Sequence, residues 1–358
     1  MYPRVLGHPP LGVTVERNTV QRPTQMTAFD ALYEIAASNG REEALFGRSI
    51  ELARPAYEKT LVGDGYPTAY LEFPLLGEPR FDLLSVHERV DPGSRFAPGA
   101  GFGYQAMIDW FATLERNGGN IVSCGIELDC GEGETERAGV YLQQRKQHEL
   151  VTPFLKSVGE EARAESYLNV LSRMPQGWPP AYVGLFPGRA GTPLRIGGYL
   201  DERAQQSYVD NPEELGRAFD AIGFLAYDAD MLARCAEFMQ LAPSVDFQFD
   251  IMADGRLGDT FGLSLSFNEA RLDRARECME SGYGARLMER FEDWGLADNR
   301  WRLIADASFA RHVGFDREDG TQGRFALCVL FNYAKVKFTG AKAQPAKFYL
   351  TLQAGEVE

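Results

Sequence analysis

The chain has 358 residues, of which 44 % are hydrophobic, so it can bury one large core or two ordinary ones. Its formal net charge of −14 at pH 7 argues against a nucleic acid or an anionic membrane as the main partner, because both bind positive surfaces. No apolar run approaches the roughly 18 residues of a membrane span and no secretory signal is evident, so we expect a cytoplasmic protein.

Cysteine and histidine spacing favours neither a disulfide framework nor a metal site. The five cysteines are odd in number and scattered, and the four histidines lie far apart in the chain. We therefore expect reduced, buried thiols and no structural zinc.

The chain begins with an irregular arm and continues as one domain. Residues 1–26 hold four prolines and show little periodicity, so we assign them no regular structure. From residue 27 onward, helical and hairpin patterns alternate without a low-complexity linker, which predicts a single domain over residues 27–358.

Five strand pairs follow one another, and each comes after a helical pattern. The predicted helices cover about 27–62, 105–115, 147–172, 212–241 and 269–306. The predicted strand pairs are 69–75 with 81–87, 122–129 with 138–143, 181–186 with 194–200, 247–252 with 261–267, and 326–338 with 346–352. Repetition on this scale is a signal at the level of the fold.

Ten sequential antiparallel strands predict a closed barrel. One open sheet of that size would curl, and closure removes its exposed edges. The intervening helices would then surround the barrel, so the fold class is α+β: a closed ten-stranded antiparallel β-barrel ringed by helices, built from five αββα repeats. A barrel this wide has more interior than its own side chains can fill, which predicts a ligand chamber.

The last strand pair carries an unusual set of side chains. Tyr333, Lys335 and Lys337 alternate on one strand, and Lys347 and Tyr349 alternate on the next, so each set shares one face. Lysine is a poor strand residue, which leaves either plain solvent exposure or a site that needs positive charge.

Arg-x-x-x-Tyr spacing recurs at the second strand of three hairpins. The three segments are Arg137-Ala-Gly139-Val-Tyr141, Arg195-Ile-Gly197-Gly-Tyr199 and Pro345-Ala-Lys347-Phe-Tyr349, the last with proline in place of arginine. Together with the αββα repeat, this resembles the ABBA, or PT-barrel, fold of aromatic prenyltransferases, and most closely the peptide prenyltransferases of cyanobactin pathways. In that family an Arg-x-Lys-x-Tyr-like pattern faces the barrel lumen.

The resemblance implies a short allylic diphosphate of the dimethylallyl type as donor, and a peptide or small aromatic acceptor. Ionisation of the donor releases diphosphate, and converging cations stabilise that charge. The matching positions predict a diphosphate site of Arg137, Arg195, Lys335, Lys347, Tyr141, Tyr199 and Tyr349, with Lys337 as a further candidate. The tyrosine rings would also shield the allyl cation.

Glu72 is the predicted catalytic base. It lies in the first strand of the first hairpin, where the family often places the carboxylate that removes the acceptor's proton, and Tyr70 and His87 could flank it. The resemblance also suggests Mg²⁺ as a diphosphate counterion, which the acidic residues Glu127, Asp129, Glu132, Glu134 and Glu136 could bind. No organic cofactor is expected, and neither is a nucleic acid or a membrane partner.

Two alternatives stay open at this point. Glycine replaces the middle lysine at Gly139 and Gly197, which removes charge and would widen the lumen. The barrel could therefore admit a bulkier acceptor, perform a different peptide-tailoring reaction, or only bind a peptide or lipid. A basic lumen in so acidic a protein would favour an anionic ligand, and a neutral or acidic lumen would favour the alternatives.

Overall fold

A computed structural model describes residues 42–47, 68–88, 90, 104–114, 122–129, 138–189, 191–267, 272–316 and 320–357. The predicted N-terminal arm lies outside the described residues. So does most of the first predicted helix, of which the segment Glu42–Phe46 (α1) is described as helical.

Ten strands form a closed antiparallel barrel, as the sequence predicts. Strands β1 to β8 pair with their neighbours in chain order, β8 then pairs with β10, β10 with β12, and β12 with β1. The strands of the first four hairpins are β1 (Thr68–Pro74), β2 (Asp82–His87), β3 (Ser123–Leu128), β4 (Gly139–Gln143), β5 (Pro180–Leu185), β6 (Leu194–Tyr199), β7 (Ser244–Ile251) and β8 (Leu257–Ser266).

The closing hairpin is longer than predicted and carries an additional strand. It consists of β10 (Gln322–Thr339) and β12 (Lys347–Val357), with the two-residue β11 (Lys342–Ala343) at its turn. The first half of β10 pairs with β9 (Phe309–Asp316) and its second half with β8, after a bulge between Phe331 and Tyr333. A pattern of five equal hairpins has no place for β9, which is why the sequence prediction missed it.

The described helices are shorter than the predicted ones. After α1 come α2 (Tyr104–Ala112), α3 (Val151–Ser157), α4 (Ala164–Leu171), α5 (Glu202–Asp210), α6 (Pro212–Ile222), α7 (Ala229–Leu241), α8 (Leu272–Glu280), α9 (Tyr283–Asp293) and α10 (Ile304–Ala307). The segment predicted as helical over 212–241 consists of two helices, because Gly223 ends α6 in the left-handed conformation, at φ 83°. Within the described residues, no helix combines the length and apolar character that a bilayer crossing demands.

The core lies between the barrel's outer face and the helices. On β7 the side chains of Val245, Phe247, Phe249 and Ile251 are fully buried and point outward, while the alternate residues Asp246, Gln248 and Asp250 point inward. Trp178 packs against Phe247 with ring centroids 4.7 Å apart, and its indole N–H donates to the Tyr208 hydroxyl at 2.6 Å. This division leaves the barrel interior lined by polar and aromatic side chains.

Candidate active site

The barrel lumen contains two adjoining chambers. The first, which we call the charged chamber, has a cavity volume of about 490 Å³. Its charged lining residues are Arg80, Arg189, Arg195, Lys335, Lys337, Lys347, Glu72, Asp82, Glu127 and Asp129. The second, the tyrosine chamber, is narrower and is lined by Tyr70, Tyr141, Tyr182, Tyr199, Tyr333 and Tyr349. Glu72, Glu127, Gln248 and Lys335 line both chambers and mark their junction.

Glu72 lies at the centre of one ionic group at this junction. Its two carboxylate oxygens accept from the Lys347 ammonium and the Tyr349 hydroxyl, and Lys347 also contacts Asp82 at 3.3 Å. Antiparallel pairing of β1 with β12 places Glu72 opposite Tyr349, which explains the contact. Burial alone would raise the pKa of Glu72, but Lys347 and Lys335 outweigh it and hold that pKa below its usual value.

A second ionic group surrounds Arg195. Its guanidinium donates to both oxygens of Asp250, at 2.8 and 3.3 Å, and to the Tyr141 hydroxyl at 3.4 Å. Tyr141 in turn donates to Glu127 at 2.5 Å. Burial and the Glu127 charge both raise the pKa of Tyr141, so its hydroxyl stays neutral and can donate.

Arg189 is a functional candidate that the sequence did not reveal. It lies in the turn after β5 and bonds to Glu127 at 2.7 Å and to Asp129 at 3.0 Å. The guanidinium groups of Arg189 and Arg195 both lie over the Phe186 ring, 4.0 and 4.3 Å from its centroid. Phe186 therefore holds two arginines of the charged chamber in place through cation–π contacts.

The glycines in the predicted motifs do not widen the lumen. A Cβ atom on Gly139 would lie 2.7 Å from the Phe186 ring, and one on Gly197 would overlap the Tyr182 ring. Aromatic rings from the neighbouring strand occupy the space that a lysine would need. The prediction of a widened lumen is therefore wrong at both positions.

Lys335 and Lys337 differ from Arg189, Arg195 and Lys347, which form ion pairs with carboxylates. Neither forms an ion pair with a carboxylate among the described residues, although Lys335 donates to the Tyr349 hydroxyl at 3.3 Å. Burial lowers the pKa of Lys335 to about 7, and burial also lowers the pKa of Lys337. These two lysines therefore lie on the chamber wall outside the ion pairs of its described carboxylates.

The tyrosine chamber is built from hydroxyls and ring faces. Tyr333 and Tyr349 stack with centroids 4.0 Å apart, and Tyr141 meets Tyr182 edge to face at 6.1 Å. Burial raises the pKa of Tyr70 to about 12 and raises those of Tyr182 and Tyr333 as well. All of these hydroxyls are neutral at pH 7, so the chamber is aromatic, polar and uncharged over most of its wall.

Most of the predicted site residues converge on this lumen. Glu72, Arg195, Lys335, Lys337 and Lys347 line the charged chamber, and Tyr70, Tyr141, Tyr199 and Tyr349 line the tyrosine chamber. Arg137 lies outside the described residues. The side chain of His87, like that of Ser85, points to the outer face of the barrel, and the two are in contact at 2.8 Å. His87 therefore does not flank Glu72. The alternation of side chains along β2 would have predicted this outward orientation of His87.

The two described members of the predicted acidic cluster are paired with an arginine. The carboxylates of Glu127 and Asp129 are both bonded to Arg189, and Glu132, Glu134 and Glu136 lie outside the described residues. Across the described ranges, no group of three or more histidine, cysteine, aspartate or glutamate side chains could hold a metal ion.

The fold is shared with aromatic prenyltransferases of known structure. The chain matches 5-dimethylallyltryptophan synthase from Streptomyces coelicolor with a TM-score of 0.51 and 13 % identity, covering 92 % of this chain and 98 % of that chain. This chain has the PT-barrel fold. The prenyltransferase PriB, solved with L-tryptophan and dimethylallyl thiolodiphosphate, matches at a TM-score of 0.45 and 12 % identity, over 91 % of this PT barrel and 94 % of its own chain. No protein-family model and no curated protein matches the chain.

Proposed function

We propose that this PT barrel transfers a short allylic group, of the dimethylallyl type, from its diphosphate to a nucleophilic acceptor. One observation carries the proposal: six cationic side chains line a chamber that adjoins a second chamber walled by six tyrosines. The first suits a diphosphate, and the second suits an electron-rich acceptor and a short-lived carbocation.

Ionisation of the donor is the first step. The bond between the allylic carbon and the diphosphate oxygen breaks, and both electrons leave with the oxygen. Lys335 and Lys337 are positioned to neutralise the leaving diphosphate, because no described carboxylate holds them. Arg195 and Lys347 line the same wall and add to the positive field, which is strongest where water is excluded.

Capture of the allyl cation takes place at the junction of the chambers. A nucleophilic carbon or heteroatom of the acceptor forms the new bond to the allylic carbon. The ring faces of Tyr333 and Tyr349, stacked beside Lys335, keep water from the cation and stabilise its charge. Their neutral hydroxyls offer donors without competing as ionised nucleophiles.

Glu72 is the group we assign to proton removal. It faces the lumen at the junction and is ionised, because Lys347 and Lys335 lower its pKa. A weak base suffices here, since an aromatic ring that has captured a cation is a strong acid. Glu72 must release the Tyr349 hydroxyl or the Lys347 ammonium to accept that proton.

The acceptor is a small aromatic molecule or the side chain of a peptide. The name of the Streptomyces enzyme assigns tryptophan to that protein, which makes free tryptophan the first acceptor to test. Peptides that present tyrosine or tryptophan come second.

Charge balance favours one alternative function. Five carboxylates pair with cations around the charged chamber, namely Glu72, Asp82, Glu127, Asp129 and Asp250. Six cationic side chains line the chamber, so the net charge of its described surroundings is +1 at most. A chamber so nearly neutral also suits a barrel that binds an uncharged peptide or lipid and performs no diphosphate chemistry.

An assay of donor consumption separates these functions. Wild-type protein is incubated with dimethylallyl diphosphate and tryptophan, then with tyrosine-containing peptides, while diphosphate release and prenylated product are measured. We expect release that depends on the acceptor and falls at least tenfold in Glu72→Gln, which keeps the shape but not the charge of the carboxylate. No release with any acceptor would favour the binding-only barrel.

A further inference from the structure

One carboxylate of the lumen, Asp246, forms no ion pair with a lysine or arginine among the described residues. The five around the charged chamber each contact a lysine or arginine, whereas the Asp246 side chain makes no hydrogen bond or ion pair with any described residue. Asp246 is 8 % exposed, and it lines the tyrosine chamber. A largely buried carboxyl group that forms no ion pair is uncommon outside functional sites, because burial removes part of its hydration.

A second unsatisfied group lies two residues along the same strand. Gln248 is 4 % exposed, its Nε2 has no hydrogen-bond partner, and its Oε1 accepts from the Tyr182 hydroxyl at 3.3 Å. Asp246 and Gln248 point to the same side of β7 and both line the tyrosine chamber. The described structure therefore leaves one donor and one acceptor unpaired on a single wall.

The position of Asp246 relates it to the reaction centre. Gln248 lies at the junction of the two chambers, and Asp246 is two residues deeper, which corresponds to about 7 Å along a strand. Tyr199 and Ser264 flank Asp246 on the neighbouring strands. An acceptor whose reactive atom reached the junction would extend its far end toward Asp246.

We infer that Asp246 binds a protonated aliphatic amine carried by the acceptor, so that the barrel selects aromatic molecules with a cationic arm. The inference rests on the proposed function, since it names the acceptor class of the same site. An ammonium group would satisfy the carboxylate through a charge-assisted hydrogen bond, and the surrounding tyrosine faces suit a cation as well.

The ionisation of Asp246 makes the inferred binding dependent on pH. Burial raises the pKa of its carboxyl group to about 8. The other charged and titratable groups that line the same chamber are Tyr70, Tyr141, Tyr182, Tyr199, Tyr333, Tyr349, Arg145, Lys335, Glu72 and Glu127. Because an ammonium ion binds only the ionised carboxylate, its affinity should rise as the pH rises from 6 to 8.

Calorimetry with two matched probes tests the inference. Tryptamine carries the amine, and 3-propylindole has nearly the same shape without charge. We expect tryptamine to bind wild-type protein about 10- to 100-fold more tightly, the range for a hydrogen bond to a charged group. Asp246→Asn should remove that preference, whereas Asp230→Asn, which removes an exposed charge on α7, should keep it.

The outcomes are separable from those of the proposed function. Binding of dimethylallyl thiolodiphosphate to Asp246→Asn, measured in parallel, shows whether the variant is folded and whether the donor site is intact. Equal affinity of wild type for the two probes, or an amine preference that survives in Asp246→Asn, overturns the inference and leaves prenyl transfer standing. Loss of donor binding in wild type would instead contradict the proposed function, whatever the probes show.

Discussion

Gly139→Ala tests the packing that fixes the arginines of the charged chamber. The added methyl group would lie 2.7 and 2.8 Å from two atoms of the Phe186 ring, against the 3.5 to 4.0 Å of an ordinary carbon contact. Phe186 is 1 % exposed, and Arg189, Arg195 and Tyr141 pack against it, so its ring has little room to move. We expect a loss of about 1–3 kcal/mol in the free energy of unfolding, the usual cost of overpacking.

Urea denaturation followed by tryptophan fluorescence measures this loss. Gly314→Ala is the matched control, because a Cβ there meets no atom within 4 Å and the substitution should be neutral or slightly stabilising. Phe186→Leu in the Gly139→Ala background should recover part of the loss, because a smaller side chain relieves the contact. A Gly139→Ala protein as stable as the control would refute the argument that Phe186 fills this space.

Three further predictions concern the lumen and the surrounding shell. Burial lowers the pKa of Lys335 to about 7 and raises that of Asp82 to about 6, so the lumen loses positive charge as the pH rises from 6 to 8. The affinity for dimethylallyl thiolodiphosphate, measured by calorimetry, should therefore fall over that interval. Lys335→Arg should make the affinity less dependent on pH. Trp178→Ala should cost about 3–5 kcal/mol in urea denaturation, since the ring is fully buried and its N–H bond to Tyr208 is lost. Asp201→Ala should cost about 1 kcal/mol in the same assay, because the Asp201 side chain caps α5 by accepting from the Ala204 amide.

Much of the barrel could be predicted from alternation alone. Strands such as β7 place apolar residues outward and polar residues inward, and this period of two is visible in the sequence. The same alternation placed Lys335, Lys347 and Tyr349 on the lumen wall. Strand β9 was missed because it interrupts the repeat, and α5 was missed because its sequence is polar and buries only Ala204 and Tyr208.

The ionic partners in the site could not be predicted in the same way. Glu72 and Lys347 are 275 residues apart, and Arg195 and Asp250 are 55 apart, so these contacts depend on barrel closure and strand register. The space beside Gly139 is occupied by the ring of Phe186 from the neighbouring strand, and no local sequence pattern reveals that contact. Long-range register decides both the charge balance and the width of the lumen.

Calorimetric titration with dimethylallyl thiolodiphosphate tests the central claim most directly. It would compare wild type, Arg195→Ala/Lys347→Ala, Lys335→Ala/Lys337→Ala and the surface control Arg256→Ala, whose ion pair with Asp254 is exposed. We predict micromolar binding in wild type and in the control, and at least a tenfold loss in each double variant. Absence of binding in wild type, or equal binding in all four proteins, would contradict the assignment of the charged chamber to a diphosphate.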